Sequence, residues 1–199
     1  MTSQNPPTNK LILASSSRYR RELLARLHIE FESISPDIDE SQQNNEAAAT
    51  YVERLAQEKA QAIANNHPNH LVIGSDQCTV MNDKIIGKPH TREAAIEQLT
   101  SASGKQIEFL TGVCVTHQAS TWTRSFVETF LVSFRNLTRE EIERYLDIEK
   151  PFDCAGSFKS EGYGISLTDA MTGDDPTALI GLPLIRLAQT LREFGWSVP

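Results

Sequence analysis

The sequence predicts a single mixed α/β domain in which helices flank one β-sheet. Three observations predict this class. Short apolar runs alternate with helical stretches at both ends of the chain, the middle holds two long β-rich runs, and no change in composition marks a linker. A chain of 199 residues with 39% hydrophobic side chains is long enough and apolar enough to bury one core.

The first half of the chain is predicted to alternate between strands and helices. Serines 15–17 offer N-caps for the first helix, and the pair His67 and Pro68 ends the second. Asn82 and Asp83 suit the turn of a hairpin. The predicted strands are 11–14, 31–34, 71–75, 78–81 and 84–87, and the predicted helices are 18–27, 47–66 and 91–102.

The second half is predicted to be richer in strands. Two long β-rich runs pair through a short turn, and a helix follows in which Thr138 and Glu141 have the spacing of a capping box. The closing helix carries Pro183 near its first turn. The predicted strands are 106–116 and 121–134, the helices are 138–146 and 182–194, a glycine-punctuated stretch of strand and loop is 152–168, and a surface loop is 169–176.

Composition and charge argue against several classes of protein. The net charge of −7 disfavours a nucleic-acid-binding face, and no apolar run approaches the roughly 20 residues that a membrane helix needs. Residues 1–10 are polar and lack the apolar core of a secretory signal, so we expect a flexible lead-in, a domain at 11–199 and a cytoplasmic location. Three separated cysteines without a CxxC pair favour reduced, mostly buried thiols.

A candidate anion site follows the first strand. The stretch SSSRYRR places Ser15 beside a helix N-terminus, where free backbone N–H groups and the helix dipole attract anions. Arg20 is one of three arginines in the first turn, and their guanidinium groups suit phosphate. Positive charge at this end of a helix is unfavourable unless a ligand compensates it. The alternative is an ordinary N-cap with solvated arginines.

Two acidic features are candidates for a metal ligand or a base. Asp76 follows an apolar run at the predicted carboxyl end of a strand, where α/β sheets bind ligands, and it suits a divalent ion or a general base. Glu40 belongs to an acidic loop at 35–46, whose carboxylates suit Mg²⁺ or Mn²⁺. Taken singly, a turn-capping aspartate and a solvated acidic loop are the commoner explanations.

Two lysines are candidate cations. Lys59 falls on the apolar stripe of the predicted helix 47–66, so it should point inward and find a carboxylate or a substrate phosphate. Snorkelling to the edge of the stripe is the alternative. Lys88 follows the predicted hairpin, where a simple turn lysine is the alternative reading of the same residue.

A glycine-rich stretch at 155–164 is a further candidate. Small residues let backbone approach a ligand closely, and Glu161 could accept from the N–H donors of a base. The stretch lacks the third glycine of a dinucleotide fingerprint, and a tight turn between strands is the alternative. The five histidines have no metal-ligand spacing, and we assign them no role.

Taken in order, these segments resemble the Maf family of nucleoside triphosphate pyrophosphatases. The matching blocks span residues 11–187 and are LILASSSRYRRELL, DIDES, RLAQEKA, IGSDQ, GKP, the glycine-rich stretch and GLPL. The resemblance implies an inosine-triphosphatase-like mixed sheet flanked by helices, with a central active-site cleft. It also implies an enzyme that cleaves between the α- and β-phosphates of a nucleoside triphosphate, uses a divalent cation (Mg²⁺, Mn²⁺ or Co²⁺) and forms a homodimer.

Within that family, the chain is most similar to the YceF-type branch, which acts on N7-methyl-GTP. The segments GSDQ at 74–77 and SFKSEG at 157–162 carry this similarity. Matched by position, the resemblance implies one role for each candidate. Asp76 is the proton acceptor and, with Glu40, a metal ligand; Tyr19, Gln77 and Glu161 are specificity positions; Ser15, Arg20, Lys59 and Lys88 contact the triphosphate.

The chemistry of the base agrees with this assignment. N7-methylation makes guanine cationic and strengthens its N1–H as a donor, so a carboxylate at Glu161 should bind it better than an amide. The branch often has tryptophan where this chain has Tyr19, whose smaller ring can still stack on a cation. Two alternatives stay open: the same reaction on dTTP, UTP or another non-standard nucleotide, and a nucleotide-binding regulator of septum formation.

Overall fold

A computed structural model describes residues 10–199 of the chain, so the predicted lead-in at 1–10 lies, except for Lys10, outside the described residues. Within 10–199 the strands are β1 (Leu11–Ala14), β2 (Phe31–Ile34), β3 (Leu71–Met81), β4 (Lys84–Ile86), β5 (Gln106–His117), β6 (Trp122–Phe134) and β7 (Thr168–Thr172). The α-helices of the same residues are α1 (Arg18–Ala25), α2 (Ala48–Ala64), α3 (Arg92–Ala102), α4 (Arg139–Glu149) and α5 (Leu184–Phe194).

The strands of the described residues join one mixed sheet. Its order is β2-β1-β3-β5-β6-β7, and β4 pairs with β3 outside this path. β1 runs parallel to β2 and β3, whereas every other neighbouring pair is antiparallel. The predicted class, one mixed sheet flanked by helices, is confirmed.

Helices cover the two faces of the sheet unequally. Because side chains alternate along a strand, Ile12 and Val72 pack against α2, whereas Leu13 and Ile73 pack against α1 and α5. Phe109 lies on this second face too, where α3 and α4 cover the far end of the sheet. We call the first side the α2 face and the second side the opposite face.

α2 approaches the sheet closely because two glycines lie beneath it. A Cβ atom added at Gly74 would stand 2.1 Å from the backbone oxygen of Ala56. One added at Gly112 would stand 2.3 Å from the backbone oxygen of Val52. The helix backbone therefore lies directly on the strands, and its buried side chains pack against those of β1, β3 and β5.

The helix ends and the hairpin follow the predicted residues. Ser17 caps α1 by accepting a hydrogen bond from a backbone N–H of the first turn, and Thr138 with Glu141 forms the predicted capping box of α4. Asn82 and Asp83 make the turn between β3 and β4, both with positive φ. Among residues 10–199, no helix is both long enough and apolar enough to cross a membrane.

Two predictions for the last part of the chain are wrong. The predicted surface loop at 169–176 begins within β7, which pairs antiparallel with β6. Its sequence TDAMT has no apolar alternation, so pairing with β6 rather than a local pattern makes it a strand. The stretch 152–168 has no strand before Thr168; its regular structure is two 3₁₀ turns, Ala155–Ser157 and Tyr163–Leu167.

We expect Gly112→Ala to destabilise the protein, because the added methyl group would overlap the backbone of α2. Overpacking of a closely fitted site usually costs about 1–3 kcal/mol of unfolding free energy. Chemical denaturation measures this cost. Gly87→Ala is the matched control, since a Cβ atom there meets nothing within 4 Å. Equal losses in the two variants would contradict the close packing of α2.

Candidate active site

A gap along one edge of β3 makes a crevice in the middle of the sheet. β3 pairs with β1 over residues 71–74 and with β4 over residues 79–81. Between them, residues 75–78 pair with β5 on one edge and, among the described strands, face no partner on the other. The crevice opens beside the carboxyl end of the parallel strand β1, which is where open α/β sheets bind ligands.

Asp76 lies in this gap and belongs to a charge cluster on the α2 face. The prediction that it stands at the end of a strand is wrong, because the predicted strands 71–75 and 78–81 are one strand, β3, and continuous pairing with β5 carries that strand through Asp76. Lys59 Nζ lies 2.6 Å from Asp76 Oδ1 and 2.8 Å from Glu40 Oε1. The side chains of Lys59 and Asp76 are only 7% and 10% exposed, whereas that of Glu40 is 58% exposed. The prediction that Lys59 points inward and finds an anion is confirmed, and it does not snorkel.

Nearby cations determine the ionisation of Glu40. Its partial burial would raise its pKa, but the hydrogen bond and charge of Lys59, followed by the charges of Lys88 and Arg20, hold that pKa below its usual value. Burial first, and then the nearby carboxylates, raise the pKa of Tyr51 to about 12. The protonated Tyr51 hydroxyl donates to the backbone oxygen of Glu40 at 3.0 Å, which fixes the acidic loop over the crevice.

Arg20 reaches the crevice from the start of α1. Its Nε donates to the backbone oxygen of Gly181 at 2.9 Å, and its Nη1 lies 3.5 Å from Ser15 Oγ. Burial lowers the pKa of this guanidinium, and the charges of Asp76 and Glu40 raise it again, so the three groups are within electrostatic range. The other two arginines of the predicted anion site are exposed to solvent.

Ser15 and Lys88 lie on the two sides of the crevice. Ser15 follows β1, is buried, and accepts a hydrogen bond from the backbone N–H of Ser17 at 3.1 Å. Lys88 follows β4, is exposed, and lies near enough to Glu40 to lower its pKa. The structure thus assembles six of the predicted residues around one crevice: Ser15, Arg20, Glu40, Lys59, Asp76 and Lys88.

Tyr19 and Glu161 form a second group around Cys154. Cys154 Sγ lies 3.9 Å from Tyr19 Oη, and the Tyr19 hydroxyl donates to Asp153 Oδ1 at 3.5 Å. Burial chiefly, then the charge of Asp153 and more weakly that of Glu161, raises the pKa of the Cys154 thiol to about 12, so the thiol stays neutral. Tyr19 also has a cation beside it, because Arg18 Nη2 donates to its hydroxyl at 2.7 Å and the guanidinium lies over its ring. The Asp153 and Glu161 carboxylates near Cys154 suit a ligand ring that carries positive charge or N–H donors.

Gln77 faces away from Asp76, because neighbouring residues of a strand point to opposite faces of the sheet. Its Nε2 donates to Thr111 Oγ1 at 3.0 Å and to the backbone oxygens of Ala178 and Leu179 at 2.9 and 3.1 Å. These bonds hold the segment after β7 against β3. They join Gln77 to that segment and not to Tyr19 or Glu161.

A buried carboxylate that the sequence analysis missed, Asp175, shapes this segment. It accepts hydrogen bonds from the backbone N–H and the hydroxyl of Thr177, and from the backbone N–H of Ile185 at 2.7 Å. The turn it stabilises presents the Gly181 oxygen to Arg20. The only local signal was an aspartate two residues before a threonine, which is typical of an Asx turn. Asp175 therefore acts on the crevice indirectly, through Arg20.

The acidic pair fits a divalent cation. The carboxylates of Glu40 and Asp76 converge on one atom, Lys59 Nζ, and two carboxylates of this kind bind Mg²⁺ together with waters and substrate phosphates. Among residues 10–199, no group of three or more His, Cys, Asp or Glu side chains is placed to hold a metal. A cation at this pair would complete its coordination with ligand or water oxygens.

A groove of about 790 Å³ lies apart from this chemistry. It runs between the start of α2 and the hairpin of β3 and β4, with Glu46, Lys84 and Glu108 among its lining residues. None of the nine predicted site residues lines it. We give the crevice more weight than this groove, because the charged and hydrogen-bonded side chains converge in the crevice.

The chain is similar to proteins of one family over almost its whole length. The family described as Maf-like protein matches residues 10–194. A protein of Pseudomonas aeruginosa named 7-methyl-GTP pyrophosphatase is 54% identical over 189 residues, which are 95% of this chain and 98% of that one. One of Alcanivorax borkumensis with the same name is 50% identical over the whole of both chains. A solved Ham1 protein of Staphylococcus aureus is 17% identical, with a TM-score of 0.48 over 63% of this chain and 72% of that one.

Removing Lys59 should leave Asp76 as a buried charge without a partner. We expect Lys59→Met to lower the unfolding free energy by about 3–5 kcal/mol, the usual cost of breaking a buried ion pair from one side. The double variant Lys59→Met with Asp76→Asn should lose less, because no stranded charge remains. Chemical denaturation of the two single variants and the double variant tests the coupling. Strictly additive losses would show that the two side chains do not interact.

Proposed function

Because the chain belongs to the Maf-like family, we propose that it is a nucleoside triphosphate pyrophosphatase that acts on N7-methyl-GTP. The reaction breaks the bond between the α- and β-phosphates and yields N7-methyl-GMP and pyrophosphate. The observation that carries the proposal is the buried carboxylate of Asp76, held by Lys59 in a crevice beside Arg20. The name that near full-length relatives share supports the substrate.

Asp76 is the general base of this reaction. Its carboxylate accepts the proton of a water that attacks the α-phosphorus, and the Lys59 ammonium, 2.6 Å away, orients that carboxylate. As the new P–O bond forms, the bond to the β-phosphate breaks and pyrophosphate leaves with the electron pair. Arg20 and Lys88 bind the negative charge of the polyphosphate, Arg20 through its planar pair of N–H donors.

A divalent cation is part of the proposal, with Glu40 and Asp76 as its protein ligands. Mg²⁺, Mn²⁺ or Co²⁺ bound there would neutralise charge on the polyphosphate. Both carboxylates contact Lys59 Nζ, so a cation bound between them would take the place of this ammonium. Glu40 is the more exposed of the two carboxylates, which leaves it accessible to a cation from solvent.

Base selection belongs to the group around Cys154. The Tyr19 ring stacks on the methylated base, and the Glu161 carboxylate accepts the strengthened N1–H donor. Asp153 places a negative charge beside Tyr19, which offsets the Arg18 guanidinium over the same ring and favours a cationic base over a neutral one. Gln77 contributes by holding the segment that positions Arg20, rather than by contacting the base with its amide nitrogen.

We also propose that the enzyme works as a homodimer in the cytoplasm on free nucleotides. The net charge of −7 disfavours binding to nucleic acid, and the family resemblance supports the dimer. Light scattering of the purified protein at several concentrations tests the assembly. A constant monomer mass would contradict the dimer without touching the reaction.

The experiment that tests the function measures pyrophosphate release from N7-methyl-GTP, GTP, dTTP and UTP, with Mg²⁺, Mn²⁺ or Co²⁺ and with a chelator. We expect selective release from N7-methyl-GTP that needs the metal. Release mainly from dTTP or UTP would contradict the substrate and keep the reaction. If no nucleotide releases pyrophosphate with any of the metals, the alternative of a nucleotide-binding regulator is favoured.

Glu161→Gln tests the base assignment. An amide replaces a charge-assisted acceptor with a neutral one, so we expect the preference for N7-methyl-GTP over GTP to fall about tenfold. The ratio of kcat/KM values for the two nucleotides measures it. If that ratio stays at the wild-type value, Glu161 does not read the charge of the base.

Asp76→Asn tests the general base. The amide keeps the shape of the side chain but cannot accept the proton, so we expect kcat to fall by about 10²–10⁴-fold. The variant should still bind N7-methyl-GTP, and calorimetry measures this binding. Full turnover by Asp76→Asn would refute the assignment of this carboxylate as the base.

A further inference from the structure

The loop that carries Glu161 is held by two side chains of α4 that lie one turn apart. The Tyr145 hydroxyl donates to the backbone oxygen of Ser157 at 3.2 Å and accepts from the backbone N–H of Lys159 at 3.1 Å. The Glu149 carboxylate accepts from the backbone N–H of Tyr163 at 2.7 Å. These bonds grip the loop on both sides of Glu161.

Glu149 also binds the side chain of Lys159 directly. Lys159 Nζ donates to Glu149 Oε1, and the two side chains are only 20% and 11% exposed. The carboxylate lies tightly against the loop, since a Cβ atom at Gly162 would stand 2.4 Å from Glu149 Oε2. Gly162 is therefore the residue that lets the carboxylate approach the loop. The ion pair and this glycine form one packed unit.

The charge of Lys159 matters because of where it lies. Lys159 and Glu161 lie two residues apart on the same loop. The hydrogen bond to Glu149 raises the pKa of Lys159 against the effect of its burial, and the charge of Glu161 raises it further, so the ammonium is within electrostatic range of the Glu161 carboxylate. A free ammonium at this place would repel a cationic ring and would offer Glu161 a competing partner. With both side chains largely buried, solvent screens this charge only in part.

We propose that Glu149 is a positioning residue for base selection, which sequesters Lys159 so that the Glu161 carboxylate stays free for a cationic base. This inference rests on the proposed function. Glu149 touches no substrate atom; it acts through Lys159. Gly162, one glycine of the stretch 155–164, has a role in this arrangement. It makes room for the Glu149 carboxylate, which holds the Lys159 ammonium away from Glu161.

Glu149→Gln is the sharpest test, because glutamine can still accept from the backbone N–H of Tyr163 but cannot neutralise Lys159. We expect kcat/KM for N7-methyl-GTP to fall about tenfold, mostly through KM, while kcat/KM for GTP changes less than about twofold. Adding Lys159→Met to this variant should restore the preference. Glu143→Gln is the control for a loss of negative charge, because Glu143 is a partly exposed acid of the same helix that pairs with Arg139.

The outcomes separate this inference from the proposed function. If Glu149→Gln keeps the wild-type preference, the inference is overturned and the proposed function is not. The same holds if the double variant, Glu149→Gln with Lys159→Met, stays unselective. An equal loss for both nucleotides would show a merely structural role and overturn it too. If Glu149→Gln fails to fold, Lys159→Met alone decides, because it should keep or raise the preference. A wild-type enzyme with no preference would overturn the proposed function itself.

Discussion

The buried ammonium of Lys59 is the interaction on which the crevice depends. Lys59 draws Asp76 and Glu40 to a single point, and without it Asp76 would be a charge in a site that solvent hardly reaches. The lysine gets there because the backbone of α2 rests on the sheet over Gly74 and Gly112. A longer side chain at either glycine would lift the helix and withdraw the ammonium. The charge cluster thus depends on two residues that have no side chain.

At the break in the pairing of β3, the two faces of the sheet carry different groups. On the α2 face, Asp76 meets the charged side chains that suit proton transfer and phosphate binding. On the opposite face, Ser75 and Gln77 hold the segment whose Gly181 oxygen orients Arg20. Because a strand alternates its side chains, Asp76 faces the charge cluster, whereas its neighbour Gln77 faces the segment that positions Arg20. The crevice lets Arg20, which comes from the opposite face, act with Asp76.

Local patterns were enough for most elements and for the charged residues of the crevice. Lys59 was recognisable because a charge on an apolar helical stripe requires a partner. Asp76 was singled out because it follows an apolar run, but it lies within β3, and the gap between the partners β1 and β4, rather than a strand end, opens the site there. Long-range partners were not recognisable. β7 is a strand only because β6 pairs with it, and the pairing of Glu149 with Lys159 exists only after α4 folds against its loop. The amide of Gln77 likewise has its partners on distant parts of the chain, at Thr111, Ala178 and Leu179, so its orientation could not be predicted.

The most direct test of the account is to hydrolyse N7-methyl-GTP in isotopically labelled water and locate the label by mass spectrometry. In the proposed reaction, water activated by Asp76 attacks the α-phosphorus, so the heavy oxygen is expected to enter N7-methyl-GMP while pyrophosphate stays unlabelled. Label in pyrophosphate would place the attack on the β-phosphorus. Formation of N7-methyl-GDP and phosphate would contradict the reaction that this crevice is proposed to perform.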